Sequence, residues 1–289
     1  MSFLDLLTQS PTALILCTLV LGLLVGSFLN VVIYRTPTTM MSSWRREARE
    51  ILALPAEDEP HISIVTPASR CPHCEAPIRW YQNIPVLSWL LLKGKCHQCQ
   101  ASISLRYPLI ELFTGLISAY CAWHFGFSPW LGAVLVAIWL LIALAMIDFD
   151  TTLLPDSLNY LLLWIGLMAA WAGISPVALA DAVLGAAIGY LSLWSLYWAF
   201  KLLTGKEGMG YGDFKLLAAL GAWLGWQYLP LVILLSSLVG AVVGGLLLTT
   251  GVVKRDQGIP FGPYLAGAGL IALLWGEVIV NAYLQMARF

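Results

Sequence analysis

Charge is what this sequence has least of. Asp, Glu, Lys and Arg make up 11% of its 289 residues, against 60% hydrophobic residues, and the mean hydropathy is +0.82. An ordinary soluble domain carries about 25% charged residues. A water-soluble globule is therefore excluded, and a polytopic α-helical membrane protein is expected. The leading segment "MSFLDLLTQSP" contains Asp5 and no Lys or Arg. It lacks the basic start of a secretory signal, so the first apolar run is expected to be retained as a span. The formal net charge of −1 says nothing about partners, because the basic residues cluster as a topology signal; no nucleic-acid partner is expected. A dinucleotide-binding reading is excluded as well: the glycines at 208–212 run G-x-G-x-G after a membrane span, without a strand-turn-helix context.

What the sequence does contain is a series of apolar runs. A helix needs about 20 apolar residues to cross a bilayer. Candidate spans lie at 12–33, 106–125, 129–147, 157–174, 177–200, 214–227, 229–250 and 261–284, about eight in all. The sixth is short, and tight turns leave open a merged or tilted pair with the seventh. Nine of the 15 Lys and Arg residues lie between Arg35 and Arg106, which places that segment on the cytoplasmic side. Counting onward puts Lys201, Lys206, Lys254 and Arg255 on the same side, whereas the opposite loops near 126–128, 175–176 and 228 hold no Lys or Arg. The expected organisation is a first transmembrane helix in 1–34, a cytoplasmic insert in 35–105 and a seven-helix transmembrane domain in 106–289.

The insert opens with a charge-mixed stretch, "SSWRREAREILALPAEDEP", read as a short surface helix or linker before Pro55 and Pro60. It then presents "CPHC" at Cys71 to Cys74 and "CHQC" at Cys96 to Cys99. Two thiolates three residues apart can grip one tetrahedral zinc from a tight knuckle, and two knuckles complete a four-cysteine, zinc-ribbon-like shell. Four thiolates leave no open position, so such a zinc is structural and does not activate water. A redox pair or an iron–sulfur site are the alternatives. His73 and His97 can substitute for a cysteine but read as bystanders. Cys17 and Cys121 fall in apolar runs and read as small core residues.

A carboxylate at membrane depth is costly and marks function by default. The candidates are Glu111, Asp148, Asp150, Asp156, Asp181, Asp213 and Glu277. Asp148 and Asp213 close span 3 and open span 6, and the span count brings both to one membrane face. Two carboxylates meeting there share a proton and can hold a water that attacks a peptide carbonyl. The glycines of "GMGYGD" offer positive φ and close backbone approach. Helix capping is the competing role for Asp213 and the preferred one for Asp156. Asp148 closes its own helix, where capping fails. Lys215 reads as a partner charge or, preferably, as a cation reaching for the interface. A proton or ion pathway, or plain end-of-span acids, remain alternatives to the dyad, and Asp150 remains an alternative to Asp148. The pairs Gly22/Gly26, Gly185/Gly189, Gly221/Gly225 and Gly240/Gly244 read as helix contact faces.

"GSFLNVVIYR" at 26–35, the two cysteine knuckles, "RYPLIE" at 106–111, "IDFDTTLLPD" at 147–156, "GMGYGDFKLLAALGAWLGW" at 208–226 and "GIPFGPYLA" at 258–266 together resemble the bacterial type IV prepilin peptidases. The resemblance implies an intramembrane aspartyl endopeptidase of the inner membrane. Such an enzyme removes the basic leader of type IV prepilins and pseudopilins after a glycine. It then N-methylates the new amino terminus, usually phenylalanine, from S-adenosylmethionine. It implies Asp148 and Asp213 as the catalytic pair, in preference to Asp150. It implies Cys71, Cys74, Cys96 and Cys99 as the cysteine set, and Gly94 and Lys95 as residues of methyl transfer.

Overall fold

The computed structural model describes residues 3–55, 62–251 and 258–286, and every regular element among them is a helix. Pro60, Lys254 and Arg255, used above to mark a break and an orientation, lie outside the described residues. The chain divides into two compact units, residues 1–135 and 136–289. Eight long helices coincide with the eight expected runs. Five of them meet the length and apolarity needed to cross a membrane: Pro11–Ile51, Pro129–Thr151, Leu179–Thr204, Gly262–Met286, and Trp226–Thr249 with its leading turn.

The first unit contains α1 (Phe3–Gln9), α2 (Pro11–Ile51), α3 (Leu87–Leu91), α4 (Arg106–Phe125) and the start of α5 (Pro129–Thr151). The Ser10 hydroxyl caps α2 by accepting the Ala13 amide at 3.2 Å, and Pro11 occupies the first turn, where its missing N–H costs nothing. The helix does not stop near residue 33 but continues to Ile51, with Pro37 inside it. The charge-mixed stretch is rich in good helix formers, and adding residues to an existing helix avoids a new nucleation step. Where α2 packs on α4, a Cβ on Gly22 would meet Ser118 Oγ at 2.6 Å, and one on Gly26 would meet Glu111 Cα at 2.7 Å. Small residues set this contact, as the Gly22/Gly26 spacing implies.

The second unit holds the rest of α5, then α6 (Asp156–Trp171), α7 (Leu179–Thr204), α8 (Tyr211–Leu224), α9 (Leu229–Thr249) and α10 (Gly262–Met286). Helix α8 is its axis: every residue from Asp213 to Leu224 except Lys215 is buried, and α6, α7, α9 and α10 pack around it. A helix apolar on all sides belongs inside. With 14 residues it is too short to cross a bilayer unaided, and its neighbours enclose it instead. The chain turns at Gly225, with φ +78°, before α9, so the sixth and seventh runs are separate helices. The backbones of α7 and α8 touch at Gly185 and Gly221, an approach that any side chain would prevent. Trp223 donates its indole N–H to the Leu162 carbonyl at 2.9 Å in the buried α6–α8 seam.

Candidate functional site

Asp148 lies in the last turn of α5 and is 4% exposed. A carboxylate there opposes its own helix dipole. Its partner is another helix: Oδ2 accepts the Gly262 amide at 2.8 Å, in a buried bond across 114 residues. Gly262 opens α10, so this amide is one of the donors a helix leaves unpaired at its start. Asp148 therefore caps α10 although it cannot cap α5. A Cβ on Gly262 would lie 2.7 Å from Asp148 Oδ2 and 3.1 Å from Leu154 Cδ2, which accounts for the glycine. Asp150 is exposed, and burial separates the two acids where spacing could not.

Asp213 is 7% exposed. It is not the N-cap of α8, as the capping alternative proposed; Gly210 holds that place, and Asp213 is the third helical residue. The helix begins early because Tyr211 is pinned in the first turn, its ring 5.3 Å from Tyr197 and 5.2 Å from Phe214. Asp213 Oδ1 is buried and has no hydrogen-bond partner. Asp213 interacts electrostatically with Asp148. Leu154 lies between the two flanks: its side chain is 2.7 Å from a Cβ placed on Gly212 and 3.1 Å from one placed on Gly262.

The expectation of positive φ in "GMGYGD" fails, since none of Gly208, Gly210 and Gly212 adopts it. Their role is proximity. Leu154 crowds Gly212, and Phe200 stands 2.8 Å from a Cβ placed on Gly208. The preceding loop is fastened by Lys201, which lies 2.8 Å from Glu207 and donates to the Tyr197 hydroxyl at 3.2 Å. Two further expectations are corrected. Pro155 holds the N-cap position of α6, so Asp156 is not the cap. Lys215 does not simply reach for the interface: its ammonium lies 2.7 Å from both carboxylate oxygens of Asp156 and 5.5 Å from the Tyr160 ring centre. The α6–α8 packing makes this pair, and no local pattern announces it.

In the insert the two knuckles share one form. Cys71 N–H bonds to the Ala76 carbonyl at 3.0 Å, and Cys96 N–H to the Ala101 carbonyl at 2.8 Å. The residue after each second cysteine, Glu75 or Gln100, has φ of 55° or 59°. The sulfurs of Cys71 and Cys99 stand 3.8 Å apart, those of Cys74 and Cys96 4.0 Å apart, and all four lie within 4.8 Å of one another. Tetrahedral zinc–thiolate bonds of about 2.3 Å require sulfur separations of about 3.8 Å, so the donor set fits zinc. Neither His73 nor His97 belongs to the cluster. The amides of Cys99 and Gln98 hold the Cys96 thiol down at about 6. At Cys74 the Ala76 amide acts the same way, but burial and the neighbouring thiols prevail and push it up to about 11.

Gly94 and Lys95 lie at the foot of the second knuckle. Gly94 is buried with φ +68°, and a Cβ there would meet the Trp89 ring at 2.8 Å. Lys95 is exposed and bridges to Ser102. The residues that sequence reasoning left without a role are Gly262, Leu154 and the Tyr197–Tyr211 pair. Only Gly262 carried a local sign, a Gly-Pro helix start.

The fold and the site define a class: a polytopic helical membrane protein with four converging thiols in one unit and two interacting buried aspartates in the other. Residues 20–125 match the Bacterial Peptidase A24 N-terminal domain, and residues 135–245 match the Type IV leader peptidase family. The chain is 59% identical over 285 residues to the prepilin leader peptidase/N-methyltransferase of Stutzerimonas stutzeri, covering 98% of each. It is 56% identical over 290 residues to that of Pseudomonas aeruginosa, covering 100% of each. It is 57% identical over 268 residues to that of Aeromonas hydrophila, covering 91% of each. The chain belongs to the type IV leader peptidase family. No solved structure matches it.

Proposed function

We propose that this protein removes the basic leader of type IV prepilins and pseudopilins after a glycine and N-methylates the amino terminus so exposed. Its place is the bacterial inner membrane, with the 35–105 insert and the active site facing the cytoplasm. The observation that supports the peptidase assignment most is the pairing of Asp148 and Asp213. Both are buried in one unit, and they interact electrostatically.

The roles follow from the partners. The Gly262 amide can only donate, so it holds Asp148 Oδ2 as an acceptor and sets the plane of that carboxyl. Asp213 Oδ1, buried and unpartnered, is the oxygen free to take or give a proton. A water held between the two loses its proton to one carboxylate as it attacks the scissile carbonyl. The other carboxyl then donates to the developing oxyanion. Burial excludes competing water and strengthens both interactions. Leu154 fills the space beside Gly212 and Gly262 and helps keep bulk water out.

In the insert, Cys71, Cys74, Cys96 and Cys99 hold a structural zinc that folds the two knuckles against each other. S-adenosylmethionine supplies the electrophilic methyl group for the second reaction. Gly94 and Lys95, at the foot of the metal-stapled knuckle, are assigned to methyl transfer. Reconstitution with a pilin precursor tests the peptidase reading. Replacing Asp148 or Asp213 by Asn lowers leader removal by roughly 10³-fold, and near wild-type cleavage by either single variant would show the dyad assignment to be wrong.

A further inference from the structure

Three acids among the described residues are buried: Asp148, Asp213 and Glu111. The peptidase reaction uses the first two. Glu111 belongs to the other unit, within the match to the N-terminal family domain, and it is 8% exposed near the start of α4. Its Oε2 accepts the Val86 amide at 2.7 Å, and the Ser27 hydroxyl of α2 donates to the same carboxyl. Val86 meets it with φ +61° and ψ −48°, a backbone conformation disfavoured for a β-branched residue. Gly26 lets α2 come against α4 at this point, where a Cβ would meet Glu111 Cα at 2.7 Å. Among the described residues the carboxylate has two partners, one from α2 and one from the turn before α3, and both are neutral donors. A buried carboxylate served only by neutral donors is the group that gains most from an arriving cation.

The second reaction supplies such a cation. Leader removal leaves a primary α-ammonium, which is largely protonated at neutral pH and cannot attack a methyl group until it loses a proton. We propose that Glu111 receives this ammonium and takes its proton. This inference rests on the two-activity reading above. One N–H bond of the ammonium breaks and its proton passes to the carboxylate, leaving a neutral amine and a carboxylic acid. The nitrogen lone pair then bonds to the methyl carbon of the sulfonium donor, and the C–S bond breaks with its electron pair remaining on sulfur. Glu111 afterwards releases its proton to water. Gly94 and Lys95, assigned above to methyl transfer, take no part in removing the proton.

Glu111→Gln tests the assignment, because the amide keeps the volume and an acceptor oxygen for Val86 but cannot take the proton. Full-length protein in detergent is assayed with a synthetic peptide starting at the new phenylalanine and, separately, with an intact pilin precursor. Methylation of the peptide is expected to fall by roughly 100-fold or more, while leader removal stays within about twofold and the zinc content is unchanged. The residual methylation rises with pH, because the amine must then lose its proton to bulk water. A binding titration compares the free-amine peptide with its N-acetylated twin. Wild-type protein prefers the free amine, Glu111→Gln does not, and Glu111→Asp retains part of the preference. Near wild-type methylation by Glu111→Gln overturns the proposal, and so does a retained preference for the free amine. Parallel loss of both activities overturns it too, since it makes Glu111 a structural latch. Wild-type protein that removes leaders yet transfers no methyl group removes the two-activity reading and this inference with it.

Discussion

Glu111 in residues 1–135 and Asp213 in residues 136–289 are buried carboxylates near the start of α4 and α8. One is served by the Val86 amide and the Ser27 hydroxyl; the other keeps Oδ1 without any partner. Asp213 does take a backbone hydrogen bond at Gly210, and Asp148 is fixed on one oxygen by the Gly262 amide. An unpaired buried acceptor costs of order 1–3 kcal/mol, so its persistence in a tightly packed helix calls for a task. The comparison separates two ways of holding an acid in a membrane protein. Partners from two elements fix the position of the acid, whereas a bare buried oxygen is left open to a partner that arrives with the substrate.

The largest expected effect breaks the second unit's side of that comparison. Asp148→Asn and Asp213→Asn each lower leader removal by roughly 10³-fold, read by the mobility shift of a reconstituted pilin precursor. Methylation of a pre-cleaved peptide stays within about twofold in both. If either variant loses both activities together, the acids are not divided between two reactions.

Next in size is loss of the metal. Purified protein carries about one zinc per chain by metal analysis, and Cys71→Ser or Cys96→Ser brings this near zero. Zinc retention falls as the pH is lowered, because each ligand must be a thiolate and protons compete with the metal for it. Retention that is flat from neutral to acid pH discards the four-thiolate site.

A smaller effect sharpens the role of Asp148. Gly262→Ala places a methyl 2.7 Å from Asp148 Oδ2, and leader removal drops by about tenfold with a stability loss of about 1–3 kcal/mol. Gly267→Ala, on the same helix with nothing within 4 Å of its Cβ, leaves both unchanged. The smallest effect belongs to Lys215→Met. Its pair with Asp156 is partly exposed, with side chains 23% and 53% accessible, so thermal unfolding shifts by no more than about 1 kcal/mol and cleavage persists.

Much of this was legible in the chain. Apolar runs mark the helices because a bilayer imposes one length and one backbone hydrogen-bonding solution on any span. The knuckles declare themselves because a metal ligand set depends on local spacing. The Gly22/Gly26 and Gly185/Gly189 pairs mark contact faces because small residues permit close helix approach, although that Gly185 meets Gly221 is visible only in the fold. Other features were not legible. Asp156 looked like a cap and is an ion-pair partner of Lys215, because the competing partner lies on α8 and is invisible to a local rule. The glycines of "GMGYGD" suggested left-handed backbone, and instead Gly212 and Gly208 make room for Leu154 and Phe200.

The sequence by itself determined that the chain is a helical membrane protein, that four cysteines come in two matching knuckles, and that Asp148 and Asp213 sit at the ends of apolar runs. Each of these depends on composition or on residues a few positions apart, where spacing alone dictates geometry. Only the tertiary structure decided which carboxylate oxygen is capped, which is bare, and that Asp148 rather than Asp150 is buried. Those facts depend on a helix start 114 residues away and on the packing of α8 among its neighbours. Burial and hydrogen-bond satisfaction are properties of the assembled interior, not of any one segment.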